Sequence, residues 1–234
     1  MAAEEDVMGF YSYYDPMPTK NSFAHIFSNA NFANNGTRDA SSQDKDLLKQ
    51  ALIRLGFLAD NITEYTDMST SEISKFDEVF QDRDVDCFVC AFLSYMHPGN
   101  YIRTYDSVIS LNEILRKVPS LKGKPKLIFV VTTPCSKDEN AIEKCDADRF
   151  GFEEEHTIPR TADMLIVCAS DNNSTRSSYF MQFLKQVLEE YGNTYDIMTI
   201  LAAVSNCIKE ETRGREQIPY IMSTLTKQLK FERN

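Results

Sequence analysis

Apolar and polar positions along this chain follow two periods in alternation, and that alternation predicts the architecture. Residues 86–94 and 126–132 are apolar runs of strand length, as expected for strands covered on both faces. Residues 163–168 form a third such run, and 22–27 read as the first strand. Residues 44–57 instead carry Leu47, Leu48, Ala51, Leu52 and Leu55 at helical spacing, with Asp and Ser residues ahead of them suited to capping. A short extended stretch at 61–65 leads through Ser69-Thr70-Ser71-Glu72, which has capping-box spacing, into a helix predicted to end near Gln81. Further helices are predicted over 177–191 and 195–209, and 218–231 has the pattern of a final strand. Strands alternating with helices predict an α/β fold, a central and mostly parallel sheet with helices on both faces. The acidic stretch 136–156 lacks periodicity and reads as an internal linker.

Composition narrows the function. A chain of 234 residues that is 42% hydrophobic can bury a substantial core, and one domain is expected. With 25 basic against 35 acidic residues it carries a formal charge of −10, which argues against a nucleic-acid partner. No apolar window approaches a membrane span, and the opening Met1-Ala2-Ala3-Glu4-Glu5-Asp6 is acidic where a secretory signal is basic and then apolar. A cytoplasmic protein without a membrane partner is therefore expected. The six cysteines (Cys87, Cys90, Cys135, Cys145, Cys168, Cys207) are too sparse for a disulfide scaffold. Cys87 and Cys90, three apart in a strand, face opposite sides, so neither a metal nor a cofactor is expected.

Six motifs in order carry the candidate chemistry. Arg38-Asp39-Ala40-Ser41-Ser42-Gln43-Asp44 follows Asn31-Phe32; Phe88-Val89-Cys90-Ala91-Phe92-Leu93-Ser94 precedes Tyr95-Met96; Gly123-Lys124-Pro125-Lys126 opens a hydrophobic strand that reaches Val131-Thr132-Thr133-Pro134-Cys135. Ile158-Pro159 with Ala162-Asp163-Met164-Leu165, then Ser174-Thr175-Arg176, then residues 217–229 complete the set. From about Tyr14 to Phe231 this order resembles a caspase of the short-prodomain, executioner type. The resemblance implies a three-layer sandwich around a mostly parallel six-stranded sheet. It divides the chain into a tail at 1–13, a large-subunit-like part at 14–135, a linker at 136–156 and a small-subunit-like part of the same domain at 157–234.

In that family a thiolate attacks the carbonyl after aspartate, an imidazole handles the proton, and backbone N–H groups hold the oxyanion. Alignment here puts Thr133 at the nucleophile, Tyr95 at the histidine and Met96 at the glycine that helps hold the oxyanion. The resemblance places Arg38 and Arg176 on the arginines of the aspartate pocket, with Val131 where the pocket has Gln and Thr175 where it has Trp. The two arginines either still bind a carboxylate or pair with acidic loops of this chain. It also implies that a strand carrying Tyr220, Ile221, Met222, Thr224, Leu225 and Leu229 pairs across a dimer axis, and that Asp146 and Asp148 are candidate cleavage points in the linker.

The resulting expectation is a pseudoenzyme similar to the decoy caspases of insects. It would bind a paralogous active caspase, or a second copy of itself, and modulate caspase activity in apoptosis. The alternative is an aspartate-specific cysteine peptidase using Cys135 as a displaced nucleophile and His97 as a displaced base. Two residues of extended chain move an atom by about 6–7 Å, so two separate compensating shifts would be needed. On this view His97 is an exposed loop residue beside Pro98-Gly99, and His156 belongs to the linker's end.

Overall fold

A computed structural model describes residues 12–14, 21–75, 85–118, 121, 123–135, 162–171, 175–216 and 218–231. The whole linker 136–156, with Asp146, Asp148 and His156, lies outside the described residues, as do residues 76–84, which hold the predicted helix end at Gln81; the described helix there stops at Ile73.

The strands are β1 (Phe23–Ser28), β2 (Ile62–Thr66), β3 (Phe88–His97), β4 (Tyr101–Arg103), β5 (Val108–Ser110), β6 (Lys126–Pro134), β7 (Met164–Ser170) and β8 (Tyr220–Ser223). The main path through the sheet runs β2-β1-β3-β6-β7-β8, parallel as far as β7, with β8 antiparallel on the edge. The short β4 and β5 hang on the end of β3 as an antiparallel extension. This is the caspase-like α/β fold expected. Strands from both sides of the linker pair directly, β6 on β7, so both parts share one sheet.

The helices are α1 (Ala40–Arg54), α2 (Thr70–Ile73), α3 (Leu111–Lys117), α4 (Tyr179–Tyr191) and α5 (Ile197–Thr212). Strand periodicity sorts the core into two layers. Val89, Ala91 and Leu93 of β3, with Leu127, Phe129 and Val131 of β6, meet Leu48 of α1, Leu184 of α4 and Val204 of α5. The intervening Phe88, Cys90, Phe92, Ile128 and Val130 pack with Ile73, Leu111 and Ile114 on the opposite face.

Several boundaries differ from the sequence pattern. Helix α1 starts at Ala40, four residues early, and Asp39 at its N-cap makes no side-chain cap; Ser41 and Asp44 instead bond to groups outside the helix start. Ser69 and Glu72 do form the anticipated capping box of α2. The final strand shrinks to the four residues of β8, after which Gln228 makes only an isolated parallel bridge to Tyr13. Helix α3 and the β4–β5 pair were not anticipated.

Tyr14, which is 3% exposed, ties the described residues 12–14 to Asp163 and Thr226. Its hydroxyl donates to Asp163 Oδ1 at 2.7 Å and accepts the Thr226 N–H at 3.2 Å. Burial first, and the hydrogen bond to Asp163 second, push the Tyr14 phenol up to about 12. A raised phenol contributes stability that is complete below its ordinary value of about 10 and lost as pH climbs through the folded value. Denaturation midpoints followed from pH 9 to pH 12 should show wild type losing roughly 2–3 kcal/mol more than Tyr14→Phe. Parallel curves for the two proteins would remove the assignment.

Candidate functional site

The ends of β3 and β6 set the site, because parallel pairing places Tyr95 beside Thr133 and Met96 beside Pro134. Neither Tyr95 nor Thr133 is idle. The Tyr95 hydroxyl donates to Thr37 O at 2.7 Å, and its ring lies 5.5 Å from that of Phe32. The Arg103 guanidinium stacks over Phe32 at 4.4 Å and lies 5.9 Å from the Tyr95 ring, so the loop before α1 is drawn across the strand end. Thr133, 5% exposed, accepts a hydrogen bond from Arg38 Nε at 3.1 Å.

Arg38 is fully buried. Its Nη1 donates to Ser41 Oγ at 2.7 Å and its Nη2 to Asp44 Oδ2 at 3.3 Å. Asp44 in turn accepts from the Ser178 N–H at 2.7 Å and the Ser178 hydroxyl at 3.1 Å, tying the start of α4 to α1. Burial pushes the Arg38 guanidinium down and the Asp44 carboxyl up, and each is countered by the opposite charge it faces. Of the two readings of Arg38, the acidic partner within the chain is the one observed: its guanidinium is turned inward and bonded on Nε, Nη1 and Nη2.

Arg176 remains partly exposed at 35%, stacks 4.0 Å over Tyr179 and approaches Asp171 Oδ2 at 3.9 Å. Val131 is completely buried in the core, while Thr175 lies exposed at the surface. On the edge strand Tyr220 is 57% exposed and Ile221 and Met222 are half-buried. Leu229 is a correction: at 1% exposure it belongs to this chain's own core and offers nothing to a second protein.

His97 is a second correction. It is not a loop residue but the last residue of β3, 6% exposed, and its Nε2 lies 3.3 Å from Cys135 Sγ. The two displacements are not independent. Two residues along a strand restore the same face, and β3 and β6 are adjacent and parallel, so an equal step on both carries the pair along together. The Cys135 N–H continues the ladder by donating to Met96 O at 3.1 Å. The usable signal was the equal offset of His97 from Tyr95 and of Cys135 from Thr133.

Sulfur and imidazole at this distance can exchange a proton, the first requirement of nucleophilic catalysis. The second requirement, donors for an oxyanion, is poorly served by the described residues. The Cys135 amide is spent on Met96 O, and the residue after His97 is Pro98, which has no N–H. Sequence reasoning also missed the Ser41, Asp44 and Ser178 cluster. Arg38, Ser41 and Asp44 at three-residue intervals through a helix start were its trace.

Among the described residues no group of three or more His, Cys, Asp or Glu side chains could hold a metal ion, and no helix is long and apolar enough to cross a membrane.

A family model described as "Caspase domain" matches residues 21–230. The chain is 27% identical over 233 residues to caspase-6 of Gallus gallus, covering 83% of this chain and 74% of that protein. It is likewise 27% identical over 246 residues to caspase-1 of Spodoptera frugiperda, covering 94% of this chain and 81% of that one. The solved structure of pro-Sf-caspase-1 superposes with a TM-score of 0.77 at 26% identity, covering 100% of this chain and 99% of that chain. A match that runs from β1 to beyond β8, over a sheet with the same architecture, establishes the kinship: this chain belongs to the caspase family, a family of cysteine endopeptidases.

Proposed function

We propose that this protein is a pseudoenzyme of the caspase family, acting in the cytoplasm by binding a paralogous active caspase, or a second copy of itself, and modulating caspase activity in apoptosis. One observation carries the reading. The arginine that would clamp a substrate aspartate is fully buried and bonded to Ser41, Asp44 and Thr133, so the residue standing at the nucleophile position serves as its acceptor. Partner binding through β8 needs none of these groups, because an edge strand offers main-chain donors and acceptors and, here, an exposed Tyr220.

Titrating the purified chain into a fixed amount of an active executioner caspase should change the cleavage rate of an acidic tetrapeptide reporter in a saturable manner. Tyr220→Asp should shift the midpoint by about 30-fold, the cost of losing an aromatic anchor worth about 2 kcal/mol. A flat titration would remove the proposal.

A second reading is favoured by the 3.3 Å contact between Cys135 and His97: an aspartate-specific endopeptidase with a displaced dyad. It conflicts with the turned-in Arg38 and with Pro98 at the position of an oxyanion donor. Incubating the chain alone with the same reporter, beside Cys135→Ala, separates the two. Turnover abolished by Cys135→Ala establishes the peptidase, and turnover equal in both proteins leaves the regulator.

A further inference from the structure

We infer that Cys135 and His97 form a reactive-thiol modification site whose substrate class is the small disulfide, glutathione disulfide being the simplest example. The pair sits at the carboxyl ends of two neighbouring parallel strands, where open α/β sheets present their chemistry. Cys135 is partly exposed and touches an imidazole nitrogen. The remaining described cysteines lack that combination. Cys87 and Cys90 are fully buried and their thiols are pushed up by burial, Cys168 is pushed up to about 11 by the same cause, and Cys207 lies half-buried on α5.

The choice of disulfide over peptide follows from what the described residues of the site lack. Attack on a peptide carbonyl builds a tetrahedral oxyanion that needs aimed donors. Here the Cys135 amide is engaged by Met96 O, and Pro98 has none. Thiol–disulfide exchange builds no oxyanion, and its charge stays spread over sulfur. His97 Nε2 takes the proton from Cys135 Sγ, and the thiolate attacks one sulfur of glutathione disulfide. The Cys135–glutathione S–S bond forms as the original S–S bond breaks, and the departing glutathione thiolate takes the proton back from the imidazolium. One thiol is consumed and one released, so the disulfide is the only oxidant required and reduced glutathione reverses the step. This site is independent of the β8 surface and of any caspase partner.

The test uses the full chain, reduced, desalted and exposed to glutathione disulfide at neutral pH, with adducts at Cys135 and Cys207 quantified over time by peptide mass mapping. A base that raises a thiol's thiolate population tenfold lowers its nucleophilicity about threefold, leaving a net gain of about threefold. Cys135 should therefore be modified at least about threefold faster than Cys207, and His97→Gln should bring Cys135 down to the rate of Cys207. Equal or slower labelling of Cys135 in wild type overturns the inference, as does an unchanged rate in a folded His97→Gln variant. If His97→Gln fails to fold, the wild-type comparison decides alone. Caspase titration without an effect would leave this result untouched, so the two proposals fail separately.

Discussion

Arg38→Met is expected to destabilise the fold by about 3–5 kcal/mol, read as a shift in the denaturant midpoint. The guanidinium occupies a site with no solvent exposure, and its removal would leave the Asp44 carboxylate buried with Ser178 as its one donor among the described residues. A loss of that size is a large part of the roughly 5–15 kcal/mol that holds a typical domain together. The double variant Arg38→Met with Asp44→Leu removes both charges, and should recover much of the loss because the stranded carboxylate is what costs most. It would not recover all of it, since the two hydrogen bonds by which Asp44 holds Ser178, the N-cap of α4, disappear with the carboxylate. Were Arg38→Met to cost less than about 1 kcal/mol, the guanidinium would have to be solvated in solution. An aspartate pocket would then be open again.

That cluster separates what the sequence made visible from what it concealed. Strands β3, β6 and β7 were legible because each is an uninterrupted apolar run buried from both faces, and α4 and α5 because their apolar spacing is helical. The β4–β5 pair was hidden because each strand has three residues, too few for a period to register. β3 was placed too short for a related reason. Its apolar run stops at Leu93, while Ser94 to His97 remain extended only because β6 pairs on one side and β4 on the other. Pro98-Gly99 correctly announces a turn, but that turn begins after His97. Register is the deepest of these gaps. Tyr95, Thr133, His97 and Cys135 could each be named from the sequence, yet that the second pair meets as the first would have met depends on a strand pairing no single segment encodes.

Phe27→Ala carries the other large expected effect, about 3–5 kcal/mol, because it empties the middle of an aromatic row built by strand register. Parallel pairing sets Phe27 of β1 beside Tyr65 of β2 and Phe92 of β3. The Phe27 ring lies 4.7 Å from Tyr65 at 10° and 4.9 Å from Phe92 at 4°, and it is 2% exposed. The next residues carry this packing to the site. Ser28 Oγ donates to Ser41 O at 3.0 Å, and Asn29 Nδ2 donates to Arg103 O at 3.0 Å, so β1 helps hold both the Arg38 cluster and the Arg103 stack. Phe27→Leu keeps most of the volume and should cost only about 1–1.5 kcal/mol. The ring contacts are tested by a double-mutant cycle of Phe27→Leu and Phe92→Leu, which should show a coupling of about 0.5–1.5 kcal/mol beyond area burial. A coupling near zero would mean that the row is held by burial alone and that the parallel rings add nothing of their own.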